Sequence, residues 1–201
     1  IIAKEIRPRF IFVSNNFRYG FNRIGDVKQL QFNEDNYSYK IIKPTPFKKN
    51  KKIVSSTLIR NYLKNGKLNT ANQLLTRKWN VIGVVKKGKQ IGKKMGFPTC
   101  NLDMKNYILP KLGVYSVMTK INNKNKNIKG IANIGQRPTF GGKKVFLEVY
   151  LFKFNGNLYN KSLNVSFCSF IRKEKKFKSP KHLVRQIKKD LIKARIDLKK
   201  I

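Results

Sequence analysis

Only nine of the 201 residues are acidic, one is a histidine and two are cysteines. With a single imidazole, His182, and two thiols, Cys100 and Cys168, set in apolar strand-like stretches, the chain has no metal-ligand spacing. That argues against a zinc site and fits a reduced, cytoplasmic protein. No apolar run approaches the length of a membrane span, and Ile1-Ile2-Ala3 is too short for the apolar part of a signal peptide, so no membrane partner is expected. The chain opens on Ile, not Met, as though cut from something longer. Apolar residues are not scarce: 40%, with 14 Phe and 8 Tyr, supply a real core and exclude global disorder.

Positive charge is what the chain has in excess, at a formal +37. Such a field attracts polyphosphates and binds nucleic acid or anionic surfaces non-specifically at low salt. The lysines are nevertheless scattered among many Asn and Ile residues and gather on no single arm or helix face. The charge therefore reads as compositional background, with no specific nucleic-acid partner.

The most informative stretch runs from Val84 to Asn101. An apolar run, Val81 to Val85, leads into a loop with glycines at 88, 92 and 96 among five lysines, ending in Pro98-Thr99-Cys100-Asn101. Glycines let backbone N–H groups approach a ligand closely, and lysines favour an anion. The order is neither that of a Walker loop nor G-x-G-x-x-G, so spacing alone fits either a phosphate cradle or a solvated hairpin tip. Pro98 fixes its own φ and restricts Phe97, and a bend there would let the Thr99 and Asn101 oxygens reach one hard cation.

Upstream, Arg9 to Val13 reads as a short buried strand, 26–31 as one or two helical turns and Tyr39 to Ile42 as a second strand. Ser55-Ser56-Thr57 makes an N-cap for a helix from Leu58 to Lys64; with Arg60 it fits either plain cap chemistry or an anion site. A second helix spans Thr70 to Leu75, and a break near Arg77-Lys78-Trp79 marks the expected domain boundary, 1–77 against 78–201. From Trp79 to Arg172 short alternating runs separated by Asn/Gly/Lys turns predict an antiparallel barrel or sandwich, with hairpin turns at 122–127 and 154–157. Leu183, Val184, Ile187, Leu191 and Ala194 at helical spacing predict a C-terminal amphipathic helix over 179–198.

Glu148 interrupts an otherwise almost wholly apolar strand, Val145 to Phe152. A carboxylate there is costly to bury unless it is hydrogen-bonded or functional, and partial desolvation would raise its pKa toward that of a useful base. Strand alternation that turns it to solvent is the competing reading.

Taken together, five motifs are similar to one family: Gly-Phe-Pro-Thr-Cys-Asn-Leu (96–102), Leu-Pro-Lys-Leu-Gly-Val-Tyr (109–115), Ala-Asn-Ile-Gly-Gln-Arg-Pro-Thr-Phe (132–140), Leu-Glu-Val (147–149) and Ile-Arg-Lys-Glu-Lys-Lys-Phe (171–177). In this order they resemble the bacterial bifunctional riboflavin kinase and FMN adenylyltransferase (FAD synthetase) family. The resemblance implies an α+β chain: a Greek-key-like antiparallel barrel with a C-terminal helix, preceded by the end of an α/β nucleotidyltransferase domain. It implies ATP and Mg²⁺, with riboflavin as substrate and FMN as product. Gly92, Lys93, Gly96, Thr99 and Asn101 would hold phosphate, Thr99 and Asn101 the metal, Glu148 would act as base, and Arg172 would contact flavin or phosphate. Asn16, Arg18, Ser55, Ser56, Thr57 and Arg60 resemble later motifs of the adenylyltransferase module.

That module's early H-x-G-H motif is absent, and His182 lies in the C-terminal helix region. The chain is thus expected to be a fragment or a form that kept only the kinase, making no FAD. An incomplete first domain with unpaired strand edges is expected to be poorly ordered from Ile1 to about Leu75. The competing class is a basic nucleic-acid-binding β-barrel, which would present interleaved cations and aromatics on one strand face.

Overall fold

The computed structural model describes residues 2–49, 51–88, 90–122, 124–139 and 142–201. Lys89 of the glycine loop, Asn123 of the first expected hairpin and Phe140 of the Arg-Pro-Thr-Phe motif lie outside the described residues. Two compact units are present, Ile1–Val54 and Ser55–Ile201.

The first unit is built from short pieces. Strand β1 (Phe10–Phe12) pairs with β4 (Lys40–Ile42) in parallel, and β2 (Arg18–Tyr19) pairs antiparallel with β3 (Gly25–Asp26). Helix α1 (Val27–Phe32) starts where Asp26 Oδ1 accepts from the Gln29 N–H at 2.9 Å, an N-cap interaction. β5 (Lys48–Lys49) and β6 (Lys52–Ile53) form a small antiparallel ladder in a lysine-rich stretch. The expectation of a buried first strand is corrected: Phe10 is 57% and Phe12 67% exposed, and only Val13 beside them is buried. A two-stranded sheet has too little neighbouring structure to cover both faces.

The second unit contains α2 (Ser56–Lys64), α3 (Leu68–Leu75), β7 (Asn80–Val84), α4 (Ile91–Lys94), β8 (Cys100–Asp103), β9 (Gly113–Ile121), β10 (Ile128–Thr139), β11 (Gly142–Leu151), β12 (Ser162–Lys173) and α5 (Pro180–Lys199). The six strands are all antiparallel in the order β7-β12-β9-β10-β11-β8, and a bridge between Lys86 and Asn101 brings the two edges together into a nearly closed barrel. Of the two expected hairpin turns, 122–127 joins paired strands β9 and β10. The segment 154–157 does not, because β11 lies between β10 and β8 while β12 lies between β7 and β9. That crossing connection gives the barrel its Greek-key character.

Alternation along β11 decides which residues face inward. Leu147, Val149 and Leu151 point into the barrel at 0%, 1% and 5% exposure, alongside Val81, Val117, Ile134, Leu163, Val165 and Phe167. Glu148, Tyr150 and Phe152 consequently face outward. Over the outer face lies α5, capped by Ser179, and its stripe packs with Val114, Ile131 and Ile171 through Leu191 and Ala194. The barrel has apolar layers on both sides of the wall that carries the site.

Helices α2 and α3 also belong to this unit. Leu63, Leu68 and Ala71 are at most 3% exposed and join the main core. Buried Asn72 on α3 accepts from the Trp79 N–H at 2.7 Å and donates to Phe167 O at 3.0 Å, tying the helix to β12 and to the chain entering β7. The expected loose order up to Leu75 therefore does not hold for these two helices. The compact unit begins at Ser55, whereas the sequence reading starts its kinase domain at residue 78.

Candidate active site

Antiparallel pairing sets five residues side by side across the outer wall. Asn101 on β8 faces Glu148 on β11, Glu148 faces Asn133 on β10, Asn133 faces Val114 on β9, and Val114 faces Arg172 on β12. Directly paired residues share a face, so this rung is one continuous strip. All five line a cavity of about 330 Å³, together with Gly92, Phe97 and Thr99 from the glycine loop and Phe177 and Ile187 from the C-terminal segment. Two β-bulges in β12, between Phe167 and Ser169 and between Phe170 and Arg172, shift the register so that Arg172 falls on the rung.

The loop that closes one end has a local physical origin. Helix α4 ends in a Schellman arrangement: Phe97 N–H donates to Gly92 O at 2.8 Å and Gly96 N–H to Lys93 O at 3.1 Å, with Gly96 at φ +83. Gly96 thus has a backbone reason to be glycine and lines neither cavity of the loop. A Cβ on Gly92 would lie 2.5 Å from Phe97 O and 3.2 Å from Thr99 Oγ1, so only glycine lets the loop fold back on Thr99. Lys93 and Thr99 line a second cavity of about 360 Å³ with Phe154, Asn157 and Tyr159. Thr99 is shared between the two cavities.

Polar groups gather at both ends of the rung, Asn101 with Glu148 at one and Arg172 with Asp190 at the other. Asn101 is 9% exposed, and its Oδ1 is buried with no hydrogen-bond partner among the described residues. An orphaned carbonyl oxygen on the same cavity as Thr99 is what a hard cation site offers, since a buried unpaired acceptor is costly otherwise. Glu148 beside it is half-buried. Cys100 between Thr99 and Asn101 points away: burial pushes its thiol up to about 12, which makes it a packing residue and not a nucleophile.

A riboflavin kinase family model matches residues 75–198. This chain belongs to the riboflavin kinase family. Among its relatives, the bifunctional riboflavin kinase/FMN adenylyltransferase of Haemophilus influenzae is 33% identical over 94% of this chain and 61% of its own length. The corresponding protein of Buchnera aphidicola subsp. Acyrthosiphon pisum is 37% identical over 96% of this chain and 62% of its own. The chain thus spans about three fifths of the length of these relatives. A crystal structure described as a macrolide-efflux protein from Streptococcus pneumoniae matches 93% of this chain and 60% of its own, with a TM-score of 0.78 and 28% identity.

Within this riboflavin kinase barrel, Gly92, Thr99, Asn101, Glu148 and Arg172 come together as expected from sequence, and Lys93 lies on the neighbouring cavity. The adenylyltransferase-like residues divide between the two units: Asn16 and Arg18 are in the first, and 55–60 open α2 in the second. Asn16 Oδ1 accepts from the Ser14 hydroxyl, Arg18 lies 3.8 Å from Asp26 at the surface, and Ser55 Oγ accepts from the Leu58 N–H as an ordinary cap. Ser56 and Thr57 fill the first turn of α2, with exposed Arg60 one turn on.

Sequence reasoning missed Asn133 and Asp190. Asp190 lies on the apolar stripe of α5, three residues after Ile187 and four before Ala194, and is 4% exposed. The same signal that singled out Glu148, an acid on an apolar face in an acid-poor chain, was present there. A nucleic-acid barrel is not favoured: Tyr150 and Phe152 pack under α5 instead of alternating with lysines on an open face. Among the described residues no helix is long and apolar enough to cross a membrane.

Proposed function

We propose that the barrel unit transfers the γ-phosphate of ATP to the 5′-hydroxyl of riboflavin, giving FMN and ADP. The observation that carries this reading is the rung with Glu148 between Asn101 and Asn133, set beside the glycine loop on a cavity of about 330 Å³ that offers both apolar and polar lining. Riboflavin occupies the cavity under α5 with its ribityl chain toward Glu148, and ATP occupies the cavity lined by Lys93 and Tyr159. Transfer then takes place at Thr99, which both cavities share. Glu148 orients the hydroxyl and accepts its proton as oxygen attacks phosphorus and the bond to the ADP oxygen breaks.

Asn101 Oδ1 and the Thr99 hydroxyl fit a Mg²⁺ ion, which when bound screens phosphate charge. Lys93 and the loop amides hold phosphate oxygens. The sequence lacks the H-x-G-H motif, so Asn16, Arg18, Ser55, Ser56, Thr57 and Arg60 are read as a remnant with no adenylyl transfer of their own. Incubating the purified chain with riboflavin, ATP and Mg²⁺ and separating flavins by chromatography tests the reading. FMN without FAD is expected. No FMN from a chain that melts cooperatively overturns the kinase assignment, and FAD overturns the argument from the missing motif.

A further inference from the structure

Asp190 is a buried acid, 4% exposed, held by two side chains. Arg172 Nε donates to its Oδ1 and Oδ2 at 3.0 and 2.9 Å, Arg172 Nη2 lies 2.8 Å from Oδ2, and Gln186 Nε2 donates to Oδ1 at 2.8 Å. Arg172 Nη1 donates to Lys173 O at 2.9 Å, and the guanidinium lies 5.7 Å from the centre of the Phe177 ring. The planar group is therefore gripped by its helix-side edge, by backbone and by an aromatic face. A guanidinium carries five N–H groups. Three have these partners, which leaves two for a ligand in the cavity that Arg172 lines.

We propose that Asp190, on α5, is a positioning residue of the substrate site that acts through Arg172, an inference that rests on the kinase reading above. The carboxylate offsets the charge of the guanidinium and fixes its plane, so the two remaining N–H groups suit an uncharged acceptor such as a ring carbonyl, not a phosphate. Two further observations agree. The lining beside Arg172 carries apolar Val114, Ile131, Leu183 and Ile187 for a ring to lie against, with charged Glu174 and Lys175 also on it. Along the rung Arg172 is three strands from Glu148, about 14 Å at the usual strand spacing, too far to serve the reacting hydroxyl. Helix α5 thus contributes recognition of the flavin ring as well as a cover for the sheet.

The test is steady-state kinetics on the purified chain, varying riboflavin and ATP separately. Asp190→Asn is expected to raise the KM for riboflavin about tenfold, while kcat and the KM for ATP stay within about threefold. In an Arg172→Gln background the same change should alter the riboflavin KM less than about twofold, because the group it positions is gone. Equal penalties in both backgrounds, a rise in the ATP KM instead, or an unchanged riboflavin KM overturns the proposal. If Asp190→Asn fails to fold, Arg172→Met with Asp190→Leu removes both charges at once and supplies the comparison. It should fold with a raised riboflavin KM and an unchanged ATP KM, and a normal riboflavin KM in it overturns the proposal. Riboflavin fluorescence titration separates this from the kinase reading: a wild-type chain that binds riboflavin without phosphorylating it refutes the kinase, while the effect of Asp190→Asn on binding still decides the positioning role.

Discussion

Replacing Glu148 by Gln keeps the size of the side chain and one carbonyl acceptor while removing the proton-accepting oxygen. On the rung its neighbours are Asn101 and Asn133, and inward-facing Leu147 and Val149 hold the strand in place at no more than 1% exposure, so the backbone has no reason to move. Binding of riboflavin, measured by fluorescence quenching, should change less than about threefold, because the apolar cavity walls and Arg172 are untouched. A positioned general base typically contributes 10²–10⁴-fold, or about 3–5 kcal/mol of barrel-independent barrier lowering at 1.36 kcal/mol per tenfold. We therefore expect kcat for FMN formation to fall by about 10²–10⁴ with the melting temperature unchanged. A kcat within about threefold of wild type would refute the role of Glu148 as base. A lost affinity with retained kcat would make it a binding residue.

Three more outcomes follow from the geometry. Gly92→Ala places a methyl group against Phe97 O at 2.5 Å, a backbone atom that no rotamer change can move, so the α4 turn must open. FMN formation should fall at least about tenfold, ~1.4 kcal/mol, with the barrel's melting temperature little changed. Asn72→Ala orphans the Trp79 N–H and Phe167 O, and at about 1–3 kcal/mol for each buried unpaired group urea denaturation should show a loss of roughly 2–6 kcal/mol. The Cys100 thiol is raised from 9.0 to about 12 by burial, so the fold holds the proton more tightly than the unfolded chain. Its contribution is complete below pH 9 and is lost as pH rises toward 12; the stability difference between wild type and Cys100→Ala should shift against wild type over that window and stay constant below it.

Much of the barrel was legible locally. Period-2 alternation in 145–152, helical spacing in 183–194 and the Asn-rich turn at 122–127 each report a face or a turn through neighbours close in sequence. Glu148 was found in the same local way, as a polar group interrupting an apolar run, and Thr99 and Asn101 from their place at the end of the glycine loop. What failed was non-local. The segment 154–157 carries turn chemistry yet joins strands that do not pair, and Phe10 to Phe12 has strand composition without enough structure around it to be buried.

The sequence by itself determined the chemistry available: nine acids, a glycine loop ending in Thr99 and Asn101, and one carboxylate on an apolar strand. Only the tertiary structure decided which groups meet. Before the bulges, Phe167 pairs with Val117, a register that carried forward would set Phe170 opposite Val114. Two inserted residues put Arg172 there instead, opposite the end of the rung and within reach of Asp190 on α5. Strand register is fixed by cross-strand packing between segments far apart in the chain, and nothing in the residues around 167–172 marks where a bulge must fall.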